Sequence, residues 1–335
     1  MSAPEPRANP LLVGHGLAER ALLEAARGGR LHHAWLLVGP AGVGKATLAY
    51  RFARWLLAGR GGEGLALDPR DPVFRRVAAG SHADLHTIER GADVRTGRLR
   101  REILVDDVRA GSEFLRRTAA EGGWRVVVVD PAEALNANAA NALLKVLEEP
   151  PPRAVLLLVC AAPGRLPATL RSRCRLLRLS PLGDDEMEAL LARYLPDLPV
   201  EERARLVALA EGSPGRGLRL AAEEGIAIAS LVEEVLAAVP RFGTARAHGL
   251  VDRLGRGESG FSTFMELLLA EIAAAVRAGA RGRADPDQQR LLSVRPLDAW
   301  GEVWQALSGL ADETERFNLD RRQAVVSGLA LLNGS

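Results

Sequence analysis

At 335 residues, with 47% hydrophobic residues and no unbroken apolar run long enough to span a bilayer, the chain has the length for two or three well-cored domains and no predicted membrane segment. A formal net charge of +2 and only 4% aromatic residues argue against autonomous nucleic-acid binding, which takes clustered cations and stacking rings. The two cysteines, Cys160 and Cys174, fit a reducing compartment and read as buried thiols, since two cannot make a zinc site without distant ligands.

Residues 1–9 are proline-rich and no signal-type apolar stretch follows them, so they read as a flexible tail of a cytoplasmic protein. From 10 to 181, strand-like runs alternate with helical patterns. The strand candidates are Ala34–Val38, Leu85–Glu89, Val126–Val129, Ala154–Val159 and Leu176–Leu179. The apolar ones lack period-two alternation, as expected of parallel strands covered on both faces. The order predicts an α/β domain built on a five-stranded parallel sheet. Gly59–Ser81 breaks the pattern with Gly, Pro and charge, and reads as an inserted, poorly structured connection.

After Ser180-Pro181 the strands stop. Asp184–Tyr194, Glu201–Glu211 and Gly217–Glu224 read as short helices with acidic residues near their starts, giving a small helical domain over 182–240. From about Ser230 the chain is helical again. Long Ala/Leu patterns at Phe264–Ala278 and Asp298–Leu310, and a last helix near Asp320–Leu332, predict a helical domain over 241–335. Gly279–Arg283 reads as a linker or exposed loop.

Gly39-Pro-Ala-Gly-Val-Gly-Lys45-Ala46-Thr47 follows the first strand and opens a helix, which is GxxxxGK in the strand–loop–helix context of a phosphate-binding loop. Gly42 and Gly44 let backbone amides, that of Val43 included, converge on phosphate oxygens, and the helix N-terminus adds positive potential. Lys45 supplies a point charge for the β- and γ-phosphates. Of the 44 basic residues only Lys45 and Lys145 are lysine. Position 46, where a hydroxyl would hold Mg²⁺, is Ala. Thr47 lies one step on, rotated by about 100°. The dinucleotide pattern GxGxxG fails at Thr47.

Three segments carry a resemblance: Leu31–Leu57, Leu135–Pro151 (LNANAANALLKVLEEPP) and Leu166–Cys174 (LPATLRSRC). Together they resemble the clamp-loader branch of the AAA+ ATPases, and the likeness continues more weakly through Gly212-Ser213-Pro214-Gly215 to Trp300, Trp304 and Asn318-Leu319-Asp320. The resemblance implies a P-loop AAA+ domain, a helical lid and a helical collar that assembles the ring. It implies a subunit of the DNA polymerase III clamp loader, partnered by gamma/tau and delta subunits. Through that complex it would meet the sliding clamp and primed DNA, with no membrane involved.

Within that branch the departures point to a stator rather than an ATPase. An Asp-Glu pair closes the equivalent strand of active relatives; here Asp130 is followed by Pro131, and Glu133 lies on the turn beyond. Cys160-Ala161-Ala162 offers no hydroxyl or amide at the sensor position, and the lid arginine falls at Gly215, with Arg216 out of register. The arginine that would reach into a neighbour's ATP site is kept as Arg173, beside Ser172. The resemblance therefore implies ATP or ADP held at Gly39–Thr47 and Asp130 without turnover, no polymerase activity, and Arg173 acting in trans; an ATP-hydrolysing gamma/tau-like subunit is the alternative. Relatives often bind zinc through four cysteines after the P-loop helix; this chain has none there, and no zinc is predicted. Lys145, with Glu148 and Glu149 three and four residues on, reads equally as an intrahelical pair or as an interface or DNA contact.

Overall fold

The computed structural model describes residues 4–59, 62–93, 97–121, 123–241, 243–254 and 258–333. Met1–Ala3 of the expected tail and Arg60-Gly61 of the expected insertion lie outside the described residues. The chain divides into two compact units, Met1–Leu218 and Arg219–Ser335.

The first unit is built on five parallel strands: β1 (Ala34–Val38), β2 (Leu85–Ile88), β3 (Arg125–Val129), β4 (Ala154–Cys160) and β5 (Arg175–Arg178). Their order is β2-β3-β4-β1-β5, the α/β arrangement expected. The registers set Val38 opposite Cys160 and Val129 opposite Leu158, so the carboxyl ends of the three central strands lie together. The connecting helices are α1 (Gly16–Arg27), α2 (Lys45–Leu57), α3 (Pro72–Ala78), α4 (Val105–Arg116), α5 (Ala137–Glu148) and α6 (Ala168–Arg171). Ala34, Leu36 and Val38 of β1 share one core with Val108 and Leu115 of α4 and Leu143 and Val146 of α5. Helix α2 buries Leu48, Phe52 and Trp55 and packs on β1, β3 and β4. Every residue of β1, β3 and β4 is buried, which is why these strands read as apolar runs without alternation.

Two expectations are corrected here. Gly59–Ser81 is not structureless, because α3 forms within it. Asp71 accepts from the Val73 amide, Pro72 opens the helix, and Phe74 and Val77 are buried. Residues 4–9 are not loose either. Arg54 of α2, 1% exposed, donates to the carbonyls of Arg7 and Asn9 at 2.8 Å each, and its guanidinium lies 4.3 Å from the Phe74 ring centroid. Burial, then the charge of Arg51, depresses the Arg54 pKa to about 10, which leaves it cationic at neutral pH.

Two helices, α7 (Asp184–Tyr194) and α8 (Val200–Ala210), complete the first unit, and α9 (Pro214–Ala222) runs across the division. The second unit continues with α10 (Gly225–Ala238), α11 (Thr244–Arg253), α12 (Glu258–Ala280), α13 (Pro286–Leu292), α14 (Leu297–Phe317) and α15 (Arg321–Asn333). Gly279 belongs to α12, so the expected loop begins two residues later than the sequence suggests. By length and composition Ser259–Ala280 could cross a membrane, but it buries Phe264, Leu268 and Ile272 within its unit and carries Glu266 and Glu271. Asn318, left-handed at φ 52°, closes α14, and the Asp320 carboxylate accepts from the Arg322 and Gln323 amides to open α15. The Asn-Leu-Asp signal is thus a helix junction.

Candidate functional site

The loop after β1 bends back over the strand ends because its glycines take conformations that side chains resist. Gly39, Gly42 and Gly44 have φ of 155°, 78° and 110°. At Gly42 a second reason applies: Gly215 packs against it, its amide donating to the Gly42 carbonyl at 2.9 Å, and a Cβ on Gly215 would lie 2.9 Å from the Gly42 Cα. The Gly212–Gly215 segment therefore lies on the phosphate loop. Buried His15 holds the loop from the other side, its Nε2 2.7 Å from the Val43 carbonyl.

A cavity of about 390 Å³ opens here, lined by Gly42–Thr47, by Asp130, Pro131 and Glu133, and by Leu11–Val13 of the N-terminal segment. Lys45 is 5% exposed and donates from Nζ to the Gly39 and Pro40 carbonyls at 2.8 and 2.6 Å. Burial lowers its pKa, and the carboxylates of Glu133 and Asp130 oppose that shift. Asp130, at the end of β3, is pushed up to about 6 by burial, against the pull of Lys45. Cys160, buried behind the cavity wall, is pushed up to about 12, by burial first and by Glu133 second, so it is a neutral thiol. The half-buried Cys174 thiol is likewise pushed up to about 12 by burial.

The residues present fit a nucleotide phosphate chain: positive-φ glycines, a helix starting at Lys45 and a cavity walled by both. The metal-binding half is weaker. Ala46 has no hydroxyl, and Thr47, though it lines the cavity, is 8% exposed. Glu133 stands nearer the loop chemistry than its place on the turn suggests. Its Oε1 accepts from the Ala161 amide at 2.9 Å, bringing the carboxylate across to the end of β4. No sequence signal marks that contact. Among the described residues no cluster of three or more His, Cys, Asp or Glu could hold a metal ion.

Arg173 lies apart from this cavity, just past the C-terminal end of α6. Its backbone amide donates to the Leu170 carbonyl, and its Nη1 to the Thr169 carbonyl at 2.9 Å. Ser172, exposed, donates from Oγ to the same Thr169 carbonyl at 3.0 Å. The guanidinium, partly exposed, pairs with Glu148 at 2.8 Å. Of its arginine neighbours, Arg175 lies 4.8 Å from the Trp35 ring centroid, while Arg171 and Arg178 are exposed. Glu148 thus turns to Arg173 and not to Lys145, which is exposed and whose ammonium makes no hydrogen bond or ion pair among the described residues.

The chain is similar to the delta' subunits of DNA polymerase III from Pseudomonas aeruginosa, 43% identical over 196 residues, and from Escherichia coli K12, 37% identical over 203 residues. These stretches cover 58% and 59% of this chain and 57% of each relative, so the chain spans little more than half the length of the curated relatives it matches. A solved structure, the DNA polymerase III gamma subunit-related protein from Thermotoga maritima, aligns over 93% of this chain and 98% of its own at 19% identity, with a TM-score of 0.47. The family described as "DNA polymerase III, delta subunit" matches residues 14–183, which hold the phosphate loop, Asp130 and Arg173 and make up just over half the chain. On that match the chain belongs to the DNA polymerase III delta subunit family.

Proposed function

We propose that this chain is the stator subunit of a DNA polymerase III clamp loader, acting in the cytoplasm with gamma/tau and delta subunits to place a sliding clamp on primed DNA. It binds ATP or ADP at Gly39–Thr47 and Asp130 without turning it over, and it contributes Arg173 to the ATP site of a neighbouring subunit. One observation carries the reading: the chain's own site has Pro131 after Asp130, whereas Arg173 stands at the surface. A guanidinium there can make paired hydrogen bonds to a γ-phosphate across a subunit boundary, stabilising charge that develops during phosphoryl transfer. The DNA polymerase III delta' identity of the relatives supports the same assembly.

The test is reconstitution with gamma/tau and delta subunits, clamp and primed DNA. Wild-type complex is expected to load clamps, and Arg173→Ala complex to assemble yet load poorly. Wild-type loading by the variant would end the trans-acting role. A second reading, hydrolysis at the chain's own site, is favoured by one observation, the Glu133 carboxylate in the cavity wall beside Lys45. Phosphate release by the isolated chain, abolished in both Lys45→Ala and Glu133→Gln, would establish that reading instead.

A further inference from the structure

The three prolines after Glu149 stop α5, so Glu148 sits in its last turn, beside α6. Lys145, three residues back on the same helix, is the partner closer in sequence, yet the carboxylate is 2.8 Å from Arg173 Nη2. Thr169 holds the other terminal nitrogen. A guanidinium presents five N–H donors in a rigid fork. These two contacts take one donor from each terminal nitrogen and leave three, on a side chain whose rotamer freedom is otherwise large.

We propose that Glu148 is the positioning residue for Arg173. It fixes the guanidinium so that its remaining N–H donors meet the phosphoryl oxygens of a nucleotide bound by a neighbouring subunit. The inference rests on the trans-acting role assigned to Arg173 above. A donor already oriented needs no reorganisation at the moment charge develops, which is where such donors have their largest effect. The side chains are 37% and 51% exposed, so the pair contributes little to folding and its loss leaves the fold intact.

The experiment measures ATP hydrolysis by the reconstituted complex, in the presence of primed DNA and clamp, for five forms of this subunit. These are wild type, Arg173→Ala, Glu148→Ala, Glu148→Gln and the double variant Arg173→Ala/Glu148→Ala. Glu148→Ala is expected to lower kcat of the Arg173-dependent turnover by about fivefold, the scale of one exposed charge-assisted contact, with KM for ATP unchanged. Glu148→Gln keeps an acceptor oxygen for Nη2 and is expected to recover most of the rate. The double variant is expected to match Arg173→Ala alone.

If Arg173→Ala is slow while Glu148→Ala runs at the wild-type rate, the positioning role is overturned and the role of Arg173 stands. If Glu148→Gln is no faster than Glu148→Ala, the hydrogen-bonding role of Glu148 is overturned. A further loss on adding Glu148→Ala to Arg173→Ala would show that Glu148 acts elsewhere. Arg173→Ala at the wild-type rate removes the reading beneath the inference instead.

Discussion

The phosphate loop and the Arg173 corner belong to one unit but are made in opposite ways. The loop is fixed from all sides: glycine backbone at positive φ, His15 below, Gly215 above, and a lysine buried on its own carbonyls. Arg173 rests on two side-chain contacts at the surface. What is fixed by backbone tolerates little change but can be kept after its chemistry is gone. What is fixed by one ion pair is easily retuned, and it faces outward where a neighbour could use it.

The sharpest way to break this comparison is at the exposed end. In the reconstituted complex, Arg173→Ala is expected to slow ATP turnover at the site it serves by on the order of 10³-fold, measured by single-turnover phosphate release. Arg173→Lys should be nearly as slow, because an ammonium cannot reproduce the forked contact. The second experiment addresses the loop. The isolated chain is expected to bind ATP and ADP in calorimetry with an affinity that survives removal of Mg²⁺, and Lys45→Ala should weaken binding by about tenfold or more through loss of a charge-assisted contact. Steady hydrolysis by the isolated chain, dependent on Lys45, would erase the contrast between the two regions.

A third change probes how rigid the loop is. The Cβ of Gly215→Ala would meet Gly42 backbone at 2.9 to 3.1 Å, so backbone must move. A loss of about 1–3 kcal/mol in denaturant unfolding is expected, with weaker nucleotide binding. An effect of opposite sign is expected at Asp130. Its carboxyl is raised to about 6 by burial, so the folded chain holds that proton to higher pH than the unfolded chain. Stability therefore falls as pH rises from about 4 to about 6, and the full cost, about 3 kcal/mol, is present above that window. Asp130→Asn should remove the cost, raising Tm at pH 8 and leaving it unchanged near pH 4. An unchanged Tm at pH 8 would place the carboxylate in a wetter setting than its burial implies.

The phosphate loop and the central strands were legible because their requirements are local. Glycine is needed where φ is positive, and a strand buried on both faces must be apolar throughout. The rest depends on partners distant in sequence. No local signal marks Arg54 as buried, yet it is the staple that holds residues 4–9. Glu148 and Arg173 are 25 positions apart, and helix spacing alone pairs Glu148 with Lys145. Composition also misled at Gly59–Ser81, where Gly and charge outweighed the Asp71-Pro72 start signal of α3.

The near-exclusive use of arginine for positive charge has a chemical consequence of its own. Guanidinium groups stay protonated and inert toward acylating reagents, whereas an amine reacts once it loses its proton. The chain's lysine chemistry therefore reduces to two addresses of unlike character. Lys145 is exposed on α5, open to acylation or amine-directed cross-linking, and a cross-link from it would report directly on whatever lies against that face. Lys45 lines the cavity at 5% exposure with its Nζ held on the Gly39 and Pro40 carbonyls, so a mass shift at that position would record release of those bonds.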